Sequence, residues 1–99
     1  MTTTMMKYLG VGKENATNRE ALSMYLGITD RQVRRLIQIA RDDGALILNA
    51  QDGNGYYLAD ASDLDDIERQ YRQDTARAMS ILKRRKAMRR LLKEAGRKV

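Results

Sequence analysis

The stretch from Thr17 to Gly44 constrains this chain more than any other. It holds two helical patterns with only Gly27 and Ile28 to turn between them. In the first, Thr17 and Glu20 have the spacing of a capping box, and Ala21, Leu22, Met24 and Tyr25 supply apolar cover. Gly27 ends it, because glycine takes the left-handed conformation that a tight helix exit needs. In the second, Thr29 and Gln32 repeat the capping spacing, and Val33, Leu36, Ile37 and Ala40 recur at i, i+3, i+4 and i+7. Gly44 is the stop signal. The run reads as two short helices joined by a tight turn at Gly27.

The flanking segments complete an α+β reading. Residues 2–9 predict a first short helix, capped by Thr4, with Met5, Met6 and Leu9 on one face. Gly10 to Ala16 loosens the chain with two glycines. Leu46-Ile47-Leu48 and Tyr56-Tyr57-Leu58 read as short strands around a Gln51-Asp52-Gly53-Asn54-Gly55 turn. Neither glycine nor proline interrupts 62–95, which predicts one helix of about 50 Å. Asp63, Asp65, Asp66 and Glu68 at its start suit the positive end of the helix dipole better than a metal. Asp52-Gly53-Asn54-Gly55 opens like a calcium loop but lacks its later glycine and closing glutamate, so a hairpin turn is the better reading.

Composition narrows the function. With 99 residues and 42% apolar content, the chain has room for one modest core. It has no cysteine and no histidine. Disulfides, thiolate metal sites and the commonest general base are therefore excluded. Neither a phosphate-gripping glycine loop nor a paired-carboxylate motif is present, so an enzyme is not expected, and no cofactor or small-molecule substrate is called for. Met1 to Lys7 lacks the apolar core of a signal peptide, and no run approaches a membrane span. A cytoplasmic location is the expectation.

The net charge of +6 is unevenly placed. Residues 83–99 carry nine Lys/Arg against one Glu, a net of +8, and residues 1–82 carry ten against twelve, a net of −2. A basic block at one end points to a polyanion.

The run Leu22-Ser-Met-Tyr-Leu-Gly27-Ile-Thr-Asp-Arg-Gln-Val33-Arg-Arg-Leu36-Ile37, followed by Asp43-Gly44 and Gly53-Asn-Gly55-Tyr56-Tyr-Leu58, resembles the winged helix-turn-helix family. The likeness is to small bacterial and phage DNA-binding proteins and to the N-terminal DNA-binding domain of biotin-ligase repressors, and it covers residues 5–58. The resemblance implies three helices and a hairpin wing over 1–60, followed here by a long C-terminal helix over 61–99. It implies that the third helix reads the major groove through Thr29, Arg31, Arg34, Arg35 and Gln38. Arg can grip guanine O6 and N7, and Gln adenine N6 and N7. Thr17, Asn18 and Arg19 would then meet phosphate at the start of the second helix. The family's basic wing is missing, since Gln51 to Gly55 carries an acid and no base.

Blander readings compete at each position. The Arg31, Arg34, Arg35 and Gln38 face is also what any solvated amphipathic helix presents. Tyr56 and Tyr57 either stack on unpaired bases or alternate inward and outward along a strand. Lys83, Lys86, Arg90, Lys93 and Arg97 form one basic face by 3,4 spacing, with Met88, Leu91, Leu92 and Ala95 on another. That face suits phosphate, solvent or, less well without Trp or Phe, an anionic membrane surface. The stripe Leu64, Ile67, Tyr71, Ala78, Leu82 could partly cover the first domain and partly join a homodimer. Strict coiled-coil heptads fail, because Asp74 and Arg85 fall on the seam. The expected function is sequence-specific binding of double-stranded DNA by a phage or bacterial regulator or DNA-handling accessory. The alternative is a winged-helix protein-interaction module.

Overall fold

A computed structural model describes residues 2–50, 53 and 55–99. Gln51, Asp52 and Asn54, on which the expected wing turn and the rejected calcium loop fall, lie outside the described residues. The elements run α1 (Thr2–Met6), a 3-10 turn (Lys13–Asn15), α2 (Arg19–Leu26), α3 (Asp30–Asp42), β1 (Ile47–Asn49), β2 (Tyr56–Leu58), a second 3-10 turn (Ala61–Asp63) and α4 (Leu64–Glu94). The mixed α+β class is as expected. The chain falls into two units, Met1–Ile67 and Glu68–Val99, the division lying within α4.

In the first unit the helices form where local chemistry asks for them. Gly27 adopts φ 65°, and its N–H closes α2 on the Ser23 carbonyl. Thr29 and Gln32 make the full capping box of α3. Val33, Ile37 and Ala40 are buried, and Leu36 packs against the same cluster. Met5 and Leu9 from the N-terminal segment, Leu22 from α2, and Ile47 and Tyr56 from the hairpin complete that core. Each fully buried side chain of this size contributes about 1.5–3 kcal/mol relative to exposure.

Four local expectations are corrected. The first helix stops at Met6 instead of residue 9, with Thr4 inside it rather than capping it, and Lys7 and Tyr8 continue as a turn. The cap of α2 is Asn18, whose side chain accepts from the Ala21 N–H at 2.7 Å. Thr17 is instead drawn away by Tyr56 and Tyr8. Met24 and Tyr25 do not cover the core: they are 77% and 59% exposed. The Tyr25 ring stacks on Tyr8 with centroids 5.3 Å apart. Tyr56 and Tyr57 do point to opposite faces, but neither ring is outward in the sense of being wet, since both are buried. Tyr56 joins the main core, and the Tyr57 hydroxyl donates to Asp66 at the start of α4.

The loosened segment after α1 is more ordered than its glycines suggest. Thr17 and Tyr56 exchange both backbone hydrogen bonds, at 2.8 and 2.9 Å. Gly12 donates to the Leu58 carbonyl at 3.0 Å, and Leu58 donates to the Gly10 carbonyl at 2.8 Å. β2 is therefore bracketed: β1 pairs antiparallel on one edge, with Leu48 opposite Tyr57, and residues 10–17 line the other. Glycine is required at Gly55, where φ is 103° and a Cβ would run into the Thr17 carbonyl.

In the second unit, α4 continues to Glu94 and closes at Gly96, φ 76°, with Arg97 donating back to the Leu92 carbonyl. Every residue from Tyr71 to Val99 is exposed. The expected stripe is thus largely uncovered, with Leu64 66%, Tyr71 71% and Leu82 47% exposed and only Ile67 half-buried. Among the described residues no helix is long and apolar enough to cross a membrane, and no group of acidic residues is placed to hold a metal ion.

Candidate nucleic-acid interface

The α3 capping box has a direct effect on its outward face. The Thr29 hydroxyl accepts the Gln32 N–H at 3.1 Å and faces Gln32 Oε1 at 3.2 Å, while the Thr29 N–H donates to Oε1 at 2.9 Å. Such a cap stabilises a helix by about 1 kcal/mol. It also occupies the Thr29 hydroxyl, which leaves that side chain its methyl group for contact.

With Val33, Ile37 and Ala40 turned inward, the same periodicity turns Arg31, Arg34, Arg35 and Gln38 to solvent, and all four are exposed. They are not equivalent. The Asp30 carboxylate holds Arg34 Nε at 3.1 Å and, with its other oxygen, Arg19 Nε at 2.9 Å. Gln38 donates to Asp42 at 2.9 Å. Arg31 and Arg35 make no ion pair among the described residues. They stand one turn apart, so their guanidinium groups share one face of the helix. The Asp30 pairs are half exposed, a setting in which ion pairs contribute about 0–1 kcal/mol. Arg34 and Arg19 are therefore held in place without being withdrawn from a stronger anion.

The three residues expected at phosphate divide the same way. The Thr17 hydroxyl donates to the Tyr8 carbonyl at 2.9 Å, and its N–H is taken by Tyr56. Asn18 uses its side-chain oxygen as the α2 cap, which leaves its amide N–H groups outward. Arg19 leans on Asp30. Of the three, Thr17 has nothing left to donate.

The far end of α3 is fixed by a residue that sequence periodicity passes over. Arg41 donates from Nε to the Ile47 carbonyl at 2.9 Å and from Nη2 to Asn49 Oδ1 at 2.8 Å. Its guanidinium carbon lies 5.7 Å from the Tyr56 ring centroid. One side chain thus ties the end of α3 to both strands. Its place in the sequence carries no such signal, because the partners are brought in by the hairpin.

In the second unit Lys83, Lys86, Arg90 and Lys93 lie along one face of α4, fully in solvent, and Arg97 lies beyond the helix end. Acids are scarce there, Glu94 being the one carboxylate side chain after Asp74. Carbonyls at the C-terminal end of the helix add to the attraction of basic side chains for that end and do not cancel their field at a distance. The chain matches no family model, no curated protein and no solved structure.

Proposed function

We propose that this chain is a winged helix-turn-helix protein that binds double-stranded DNA without chemistry, as a regulator or DNA-handling accessory. The observation that carries the reading is the exposed cationic face of α3, Arg31, Arg34 and Arg35, set by a core-facing stripe on the same helix and presented next to the α2 turn. Arg31 and Arg35 are the principal base readers, being the two whose donors have no partner among the described residues. Arg34 and Gln38 join them by exchanging Asp30 and Asp42 for base edges. Asn18 and Arg19 approach phosphate. The basic run of α4 adds affinity that does not depend on sequence.

Selection from random duplexes tests the proposal. The full chain should enrich a defined motif, and replacing Arg31 and Arg35 together by Ala should weaken binding to it about 10-fold or more, since each bidentate Arg–guanine contact contributes about 1–3 kcal/mol of discrimination. A chain that enriches no motif, or a double variant that keeps full selectivity, would instead support the winged domain as a protein-docking module.

A further inference from the structure

The exposed seam of α4 carries a device for choosing its partner. Heptad positions a and d counted from Leu64 are Leu64, Ile67, Tyr71, Asp74, Ala78, Ile81, Arg85, Met88, Leu92 and Ala95. Eight of these ten are apolar, and the two exceptions are opposite in charge. Within the second unit, Tyr71, Ile81 and Met88 are all at least half exposed, so this unit does not by itself cover the face. A helix of mixed sequence gains most of its stability from burying such a face against something.

We propose that α4 pairs with α4 of a second copy of this chain, antiparallel, about a two-fold axis between Met79 and Ser80. In an antiparallel pair an a position of one helix meets a d position of the other. In this register Tyr71 meets Met88 of the second copy, Ala78 meets Ile81, and Asp74 meets Arg85. Each pairing occurs twice by symmetry. The two polar interruptions of the seam therefore become two complementary ion pairs. A parallel pair does the opposite, setting Asp74 on Asp74 and Arg85 on Arg85. A slip of one heptad sets each charge against an apolar side chain. Charged residues inside a seam cost stability but specify register and orientation, and this pair of charges selects one arrangement from three. The Asp74 carboxylate is held ready by Gln70, which donates to it at 2.8 Å.

Flanking positions agree in part: Glu68 falls opposite Arg89, whereas Arg77 falls near Arg84. The outer face fits without exception. Lys83, Lys86, Arg90, Lys93 and Arg97 occupy only b and f positions, the ones turned away from the partner. Pairing buries the seam and leaves the basic face in solvent. The inference stands on α4 alone and does not depend on DNA binding.

Sedimentation equilibrium on the full chain tests it, with far-UV circular dichroism to confirm that helix content is kept. The unaltered chain should dimerise. Asp74→Arg alone and Arg85→Asp alone each place like charges in two seam layers and should raise the dissociation constant roughly a hundredfold. The double exchange Asp74→Arg with Arg85→Asp should restore it to within about threefold of the original. Because the chain has no cysteine, orientation can be read separately. A mixture of Tyr71→Cys and Met88→Cys chains should oxidise to the mixed disulfide, and neither chain should cross-link efficiently to itself. A monomer at about 100 μM, a dimer indifferent to the single changes, an exchange that fails to restore it, or self-linking of Met88→Cys would each overturn the proposal.

Discussion

Replacing Arg41 by Ala should separate the end of α3 from the hairpin. The side chain supplies two hydrogen bonds from a charged donor and one contact with an aromatic face. A charge-assisted hydrogen bond contributes about 1.5–3 kcal/mol when water is excluded. The bond to the Ile47 carbonyl is partly buried and earns about 1.5 kcal/mol of that, whereas the exposed bond to Asn49 is screened to about 0.5 kcal/mol. The contact with Tyr56 adds about 0.5 kcal/mol at a partly wet site. The expected loss is therefore about 2.5 kcal/mol, equivalent to about 10–20 °C in Tm for a domain of this size. Near-UV circular dichroism in urea is the right assay, because four of the five tyrosines lie in the first unit, while the far-UV signal is dominated by α4. Arg41→Lys keeps the stem and the charge but not the two-pronged geometry, so it should recover no more than about half of the loss. A change below about 0.5 kcal/mol for Arg41→Ala, or full recovery by Lys, would refute this account of how α3 is fixed.

Two further outcomes follow from charge. If about six phosphates are neutralised, log K for duplex DNA should fall against log salt with a slope of about −5, and deleting residues 83–99 should flatten it; an unchanged slope removes the tail from the interface. Asp60 caps the second 3-10 turn, and the Ser62 hydroxyl and then the Ser62 N–H hold its carboxyl below the ordinary carboxylate value. A depressed folded-state value means that the stability it confers is present above the unfolded-state pKa and is lost as pH falls through the folded one. The stability gap between the chain and its Asp60→Asn variant, measured by urea titration, should therefore be constant near neutrality and narrow only below about pH 4; a gap that widens on acidification contradicts the assignment.

What could be read from the sequence was what depends on near neighbours. The Thr29 and Gln32 box, the Gly27 exit and the inward stripe of α3 involve residues within one or two turns, and all three form as expected. Thr17 shows where that logic ends. Its spacing to Glu20 is right for a cap, but Tyr56, far along the chain, claims its backbone, and the cap passes to Asn18. Met24 and Tyr25 were misplaced for a related reason. α2 is short enough for Leu22 and Leu26 to serve the core, and the other apolar residues turn out. At the candidate interface, exposure of the α3 arginines was legible from the 3,4 spacing. Their ranking was not, because it depends on Asp30 reaching Arg19 and Arg34 at once. Nor was the role of Arg41, whose partners exist only once the hairpin has folded back.

The bracketing of β2 reaches beyond stability. A two-stranded sheet normally offers open edges on which a stray extended chain can grow, and small proteins rich in such edges aggregate. Here residues 10–17 stop growth beyond β2. On the other side the outward groups of Ile47 are spoken for, its N–H by the Ala45 carbonyl and its carbonyl by Arg41. The hairpin is sealed along most of its rim, so any traffic with other molecules is left to side chains rather than to bare backbone.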